Sequence, residues 1–266
     1  MKATGPLDKM KTHLGQSVEY TLQLGTDAIA MNDLLGTKIT LRHTGKISCV
    51  NCGRITKKAF GQGFCYPCFM NSAENSECIV RPELCRGHLG EGRDVEWEKS
   101  HHVQPHYVYL ALSNAVKVGV TRATQVPYRW MDQGASQGIL LAEVPYRQLA
   151  GVIEVELKKY LSDKTNWQRM LKNEIAADVD LKERKYAAAD LLPEELKQYL
   201  CINDTITEIR YPVLRFPEKV KSVSLEKQQE ISGVLTGIKG QYLLFEGGMV
   251  SNIRNQSGYE VEFETE

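Results

Sequence analysis

A chain of 266 residues with 33 basic and 33 acidic side chains carries no formal net charge, so any preference for nucleic acid or an anionic surface must be local. Hydrophobic content of 42% and charged content of 25% are those of a soluble globular protein, and the length suggests two domains. No apolar run approaches the roughly 20 residues that span a bilayer, and the first thirty residues lack the pattern of a secretory signal. The expected location is the cytoplasm, with no membrane contact. There, closely spaced cysteines are metal ligands more often than disulfide partners.

Residues 1–48 read as short strands: 18–24 and 37–41 each alternate apolar and polar side chains. Residues 49–105 hold six of the seven cysteines in a turn-rich stretch that needs a staple to hold a shape. Cys49-Val50-Asn51-Cys52-Gly53 and Cys65-Tyr66-Pro67-Cys68 are two Cys-x-x-Cys knuckles. Two residues between cysteines let both thiolates face one tetrahedral ion, and Gly53 supplies the backbone angle that follows such a turn. The expected metal is structural zinc on Cys49, Cys52, Cys65 and Cys68. A redox pair would call for a surrounding βαβ pattern, which is absent.

Between Thr37 and Phe69 lie Lys38, Arg42, Lys46, Arg54, Lys57 and Lys58 with no acidic residue, and Phe60, Phe64, Tyr66 and Phe69 interleave with them. Cations beside rings suit a nucleic-acid backbone and its bases. A solvated positive face over an aromatic mini-core accounts for them equally well. Further on, Cys78, Cys85, His88 and His102 form a candidate second zinc site, against two buried thiols and surface histidines as the plainer account.

From His106 the pattern becomes strand 107–112, turn at Asn114, strand 116–120, helix from Pro127 to about Gln133, strand 139–144 and helix from about Arg147 to Leu161. Two further helices are expected at 169–178 and 193–200. Cys201 stands alone and reads as a buried thiol. The tail returns to strands at 233–238, 241–245 and 250–253, separated by glycine-rich turns.

The order of 106–170 resembles the GIY-YIG nuclease core. That family carries a tyrosine on the first strand, Tyr-Ile-Gly on the second, an arginine on the first helix, a metal-binding glutamate on the second and an asparagine soon after. The resemblance implies these roles for Tyr109, Gly119, Arg129 (with Arg122 as an additional candidate), Glu154 and Asn166. Glu154 would hold Mg²⁺ or Mn²⁺, Arg129 or Arg122 would contact phosphate, and Tyr109 would orient the attacking water. Lys117 replaces the family's second tyrosine. A desolvated lysine can act as a base, or leave a phosphate site without turnover.

Three strings stand out further: Lys117-Val118-Gly119-Val120-Thr121-Arg122, Arg129-Trp130-Met131-Asp132-Gln133-Gly134-Ala135 and Gly237-Ile238-Lys239-Gly240-Gln241-Tyr242. Through them the chain resembles, over nearly its full length, a bacterial family known as domain of unknown function 2797. That resemblance implies the zinc ribbon and the GIY-YIG-like core, with no established activity.

The expected protein is α+β: a small β-barrel from residues 1–48 and 213–266, a zinc-binding segment at 49–105, a GIY-YIG-like ββαβα unit at 106–170 and a helical connector at 171–212. Its expected function is zinc-supported action on nucleic acid, DNA or RNA, as a Mg²⁺-dependent phosphodiesterase or endonuclease. The alternative is a non-catalytic nucleic-acid-binding or protein-interaction module with a degenerate nuclease core.

Overall fold

The structure, a computed structural model, describes residues 1–266 and is α+β. The chain forms two compact units. One comprises Met1–Phe69, Leu171–Asn173 and Arg210–Glu266; the other comprises Met70–Met170 and Glu174–Ile209. The expected zinc-binding segment is therefore divided: 49–69 belongs to the first unit and 70–105 to the second.

The first unit is built on the strand Lys38–Ser48. Ile39 and Leu41 are fully buried while Lys38 and Arg42 are exposed, the period-2 pattern of a sheet with one covered face. Burying each such aliphatic side chain contributes about 1.5–3 kcal/mol. Tyr259–Thr265 and Glu230–Lys239 flank this strand, both antiparallel, and Lys2–Pro6 pairs with Tyr259–Thr265. Beyond Glu230–Lys239 lie Tyr242–Phe245, Met249–Asn252 and, in parallel, Lys221–Ser222. A separate meander joins Lys11–Leu14, Val18–Leu24 and Asp27–Ala30.

Strands from both ends of the chain thus share a sheet, but the expected barrel does not close. The sheet runs from Lys2–Pro6 to Lys221–Ser222, and these ends do not pair. The physical reason lies in Glu230–Lys239. Its residues 230–234 bond to 38–42 and its residues 235–239 to 242–245, with a bulge between Leu235 and Gly237. A strand that passes from one partner to the next beside a bulge bends the sheet, and here the bent sheet ends on the two-residue strand Lys221–Ser222, which pairs only with Met249–Asn252.

In the second unit the antiparallel strand order is Thr207–Glu208, Gln137–Val144, His106–Leu112, Val116–Arg122. Val108 to Leu112 are all buried, as a central strand covered on both faces requires. Helix Arg147–Lys158 buries Ala150, Ile153 and Leu157, spaced three and four apart, against Val108, Leu110 and Val118. Helix Tyr128–Asp132 follows Pro127 and is ended by Gly134 in the left-handed region (φ 71°).

The helix expected at 169–178 is only Trp167–Leu171, because Asn173 (φ 58°) turns left-handed immediately afterwards. The one expected at 193–200 shortens to Glu194–Lys197. Three α-helices were not anticipated, Tyr66–Asn71, Val95–His102 and Leu181–Asp190. The last two are each N-capped by an aspartate: Asp94 accepts from Trp97 N at 3.0 Å, and Asp180 accepts from Lys182 N at 2.7 Å. No helix is long and apolar enough to cross a membrane.

Candidate functional site

All seven cysteines are free thiols, as the metal-ligand reading requires. The Sγ atoms of Cys49, Cys52, Cys65 and Cys68 lie within 4.8 Å of one another. Two thiolates held 2.3 Å from a tetrahedral ion stand about 3.8 Å apart, and Cys52 Sγ is 3.8 Å from Cys65 Sγ. Strand Ile55–Thr56 returns against Ile47–Ser48, and helix Tyr66–Asn71 carries the second knuckle. Gly53 adopts φ 69° and donates to Cys49 O at 2.9 Å. Burial opposes ionisation of Cys49, yet N–H groups of Cys52, Cys65 and Asn51 bring its thiol down to about 6. The donor set and its spacing fit zinc. All four positions would be filled by protein sulfur, which makes the ion structural.

The basic footprint around this ribbon is smaller than the sequence suggests. Lys38 pairs with Glu266, Arg42 lies 2.9 Å from Glu230, and Lys46 lies 3.4 Å from Glu260. Neighbouring strands therefore neutralise half of the six cations. Arg54, Lys57 and Lys58 are exposed and make no ion pair. Lys58 Nζ sits 5.6 Å over the Phe60 ring, Phe60 packs edge-on to Tyr66, and Tyr66 is 57% exposed.

Cys78, Cys85 and His102 of the second candidate site do come together, but His88 does not join them. Its ring stacks on Tyr146 with centroids 4.5 Å apart, and the fourth member of the cluster is Glu98. Glu98 and His102 stand one helical turn apart on Val95–His102, a helix absent from the sequence reading, so the carboxylate was missed.

In the second unit, Tyr109 and Gly119 are register partners across the hairpin. A Cβ on residue 119 would lie 2.6 Å from the Tyr109 hydroxyl, so glycine there makes room for the phenol. Lys117 occupies the same face two residues earlier. Tyr109 OH and Lys117 Nζ both donate to Gln133 Oε1, at 3.0 and 2.7 Å. Burial pushes the Tyr109 phenol up, with Arg129 the largest opposing influence. Burial and then Arg129 push Lys117 down to about 8, while Asp163 and Glu154 oppose. Arg129 and Glu154 therefore both act on Tyr109 and on Lys117, which share Gln133 as acceptor. Gln133 stands inside the 129–135 string but was not singled out from it, because an amide carries no charge to draw notice.

Glu154 is buried, and Lys158 Nζ lies 3.1 Å from its Oε2. Burial pushes its carboxyl up and Lys158 draws it back. Mg²⁺ is commonly held by one or two carboxylates completed by water and substrate phosphates. Glu154 offers one carboxylate, and Lys158 is the group such an ion would displace. The expected Mg²⁺ or Mn²⁺ finds no preformed cage.

Arg122 and Asn166 are not part of this group. Arg122 alternates onto the opposite face of its strand from Lys117 and Gly119. Asn166 Oδ1 accepts from Arg169 N at 3.1 Å, which makes it the cap of the 167–171 helix. Lys239, from the third family string, is buried over the rings of Tyr211 and Phe216 and donates to Asn173 Oδ1 at 2.9 Å, a packing role.

Among known proteins, the family model described as "Protein of unknown function (DUF2797)" matches residues 36–261. No curated protein and no solved structure gives a match.

Proposed function

We propose, for a chain that belongs to the DUF2797 family, a zinc-supported protein that acts on nucleic acid through a GIY-YIG-like phosphodiester pocket in its second unit. The observation that carries this reading is the meeting of Tyr109 and Lys117 on Gln133 Oε1, with Arg129 and Glu154 acting on both groups. Phosphodiester hydrolysis calls for this mixture. Arg129 stabilises charge developing on the phosphoryl oxygens. Lys117, drawn down to about 8, has a neutral fraction near physiological pH that can take a proton from water. Tyr109 orients that water, and Gln133 fixes both donors. Mg²⁺ at Glu154, when bound, would supply a Lewis acid. The ribbon contributes a cationic, ring-bearing surface at Arg54, Lys57, Lys58 and Tyr66 for the nucleic-acid backbone and bases.

The test incubates the full-length protein with single- and double-stranded DNA and RNA in Mg²⁺ or Mn²⁺. Cleavage is expected, with about 100-fold or greater loss in Arg129→Ala and in Glu154→Gln. Products formed at an unchanged rate by Glu154→Ala would remove that residue from the chemistry.

A second reading keeps binding and drops turnover. The Glu154–Lys158 ion pair at 3.1 Å favours it, because the carboxylate already has a cation. On that reading nucleic acid binds with steep salt dependence, no products form, and Glu154→Ala binds like the parent.

A further inference from the structure

We propose that Cys78, Cys85, Glu98 and His102 form a second, structural zinc centre that buckles the turn-rich 70–105 segment onto helix Arg147–Lys158. This goes beyond the nucleic-acid reading and does not depend on it.

The four ligand atoms lie within 4.8 Å of one another. An imidazole nitrogen and a thiolate on one tetrahedral zinc stand about 3.5 Å apart. His102 Nδ1 is 3.4 Å from Cys85 Sγ and 3.9 Å from Cys78 Sγ, and it contacts Glu98 Oε2 directly. The donor set is a closed Cys₂GluHis site. All four residues are buried, with His102 and Glu98 each 2% exposed. A carboxylate removed from water is costly unless paired or bound to metal. Gly92 leaves the space Glu98 occupies, since a Cβ there would lie 2.4 Å from Glu98 Cγ.

The charge also balances. Two thiolates, one carboxylate and neutral imidazole around Zn²⁺ leave one negative charge. Arg147 sits beside the centre as the counter-charge, its Nε donating to Cys78 O at 3.0 Å and its Nη2 to Ile79 O at 2.8 Å. Arg147 is the first residue of the helix that carries Glu154. Four residues further along, a Cβ on Gly151 would lie 2.1 Å from Glu83 N, so helix and loop meet backbone to backbone between the two cysteines. The bound ion thus holds the loop, and the loop holds the helix. With every position taken by buried protein atoms, the ion has no place for substrate or water.

Full-length protein freed of loose metal and treated with an organomercurial should release two equivalents of zinc per chain. Cys68→Ser and Cys85→Ser should each release one, the first by emptying the ribbon and the second by emptying this centre. Should Cys85→Ser misfold, Glu98→Gln keeps the shape and should weaken zinc at this centre about 10-fold or more in chelator competition. Cys78 and Cys85 should resist iodoacetamide in the parent protein and become labelled as the second equivalent leaves. One equivalent from the parent, two from Cys85→Ser, or labelling of Cys78 and Cys85 without zinc release would each overturn the proposal. Absence of nuclease activity would not touch it.

Discussion

Gly119 faces Tyr109 so closely that the hydroxyl fills the volume a methyl group would occupy, 2.6 Å from an ideal Cβ. Gly119→Ala should therefore displace the phenol and cost about 1–3 kcal/mol by overpacking. Urea denaturation measures the cost. Combining it with Tyr109→Ala should bring the total well below the sum of the single changes, because the clash then has no partner. Strict additivity would mean the two residues do not compete for that space.

Lys117 should make stability depend on pH in the alkaline range. Its folded-state value is about 8 against 10.5 when unfolded, so between these the unfolded chain binds more protons and stability rises with pH. Below pH 8 the penalty of burying the charged form is fully present. Relative to Lys117→Met, the parent should gain roughly 2–3 kcal/mol between pH 7 and 10.5. Thermal or chemical unfolding at several pH values measures the gap, and a constant difference would mean that Lys117 titrates normally. If the lysine is also the base, cleavage should rise through pH 8 in the parent and lose that limb in the variant.

Of the six cations near the ribbon, only Arg54, Lys57 and Lys58 stand without ion-pair partners, so they should carry the nucleic-acid affinity. Changing all three to glutamine should reduce the salt slope of duplex binding by about 2–3. Changing Lys38, Arg42 and Lys46 instead should alter it much less, since their charge is already answered by Glu266, Glu230 and Glu260. Fluorescence anisotropy across a salt series separates the two sets. Equal slopes for both would dissolve the distinction.

Asn166→Ala should cost about 0.5–2 kcal/mol through loss of a helix cap while leaving cleavage or binding near the parental level. Activity that collapses at unchanged stability would return Asn166 to the chemistry that the family resemblance implies for it.

The parts of this fold legible from sequence were those written in a strong local code. Strand 18–24 and helix 147–158 carry clean periods of two and of three-to-four, and the knuckles carry their own spacing. Helix 181–190 spreads Lys, Glu, Arg and Ala around most of its surface, so it shows almost no stripe. Its Lys185 is buried by contacts to Cys201 O, Asn203 O and Asp204, which only the folded chain brings near. Tyr109 and Lys117, singled out from the sequence, share Gln133 as acceptor under the influence of Arg129 and Glu154, whereas Arg122 lies on the opposite strand face and Asn166 caps a helix. Gln133 and Glu98 escaped because their roles depend on partners distant in sequence or on an unforeseen helix.

The strand 38–48 has both of its principal neighbours, 230–239 and 259–265, far downstream in sequence. A ribosome delivers this strand and the ribbon thiols, then must make the whole of the second unit before either neighbour exists. Through that interval the nascent segment holds an unzipped β-edge and four reactive sulfurs with no sheet behind them. The continuous stretch from Met70 to Met170, by contrast, can gather most of its own contacts while translation is still under way. Early metal capture by the knuckles would shield the sulfurs during that wait, so zinc-starved cells should accumulate this protein as aggregate rather than as a soluble apo form.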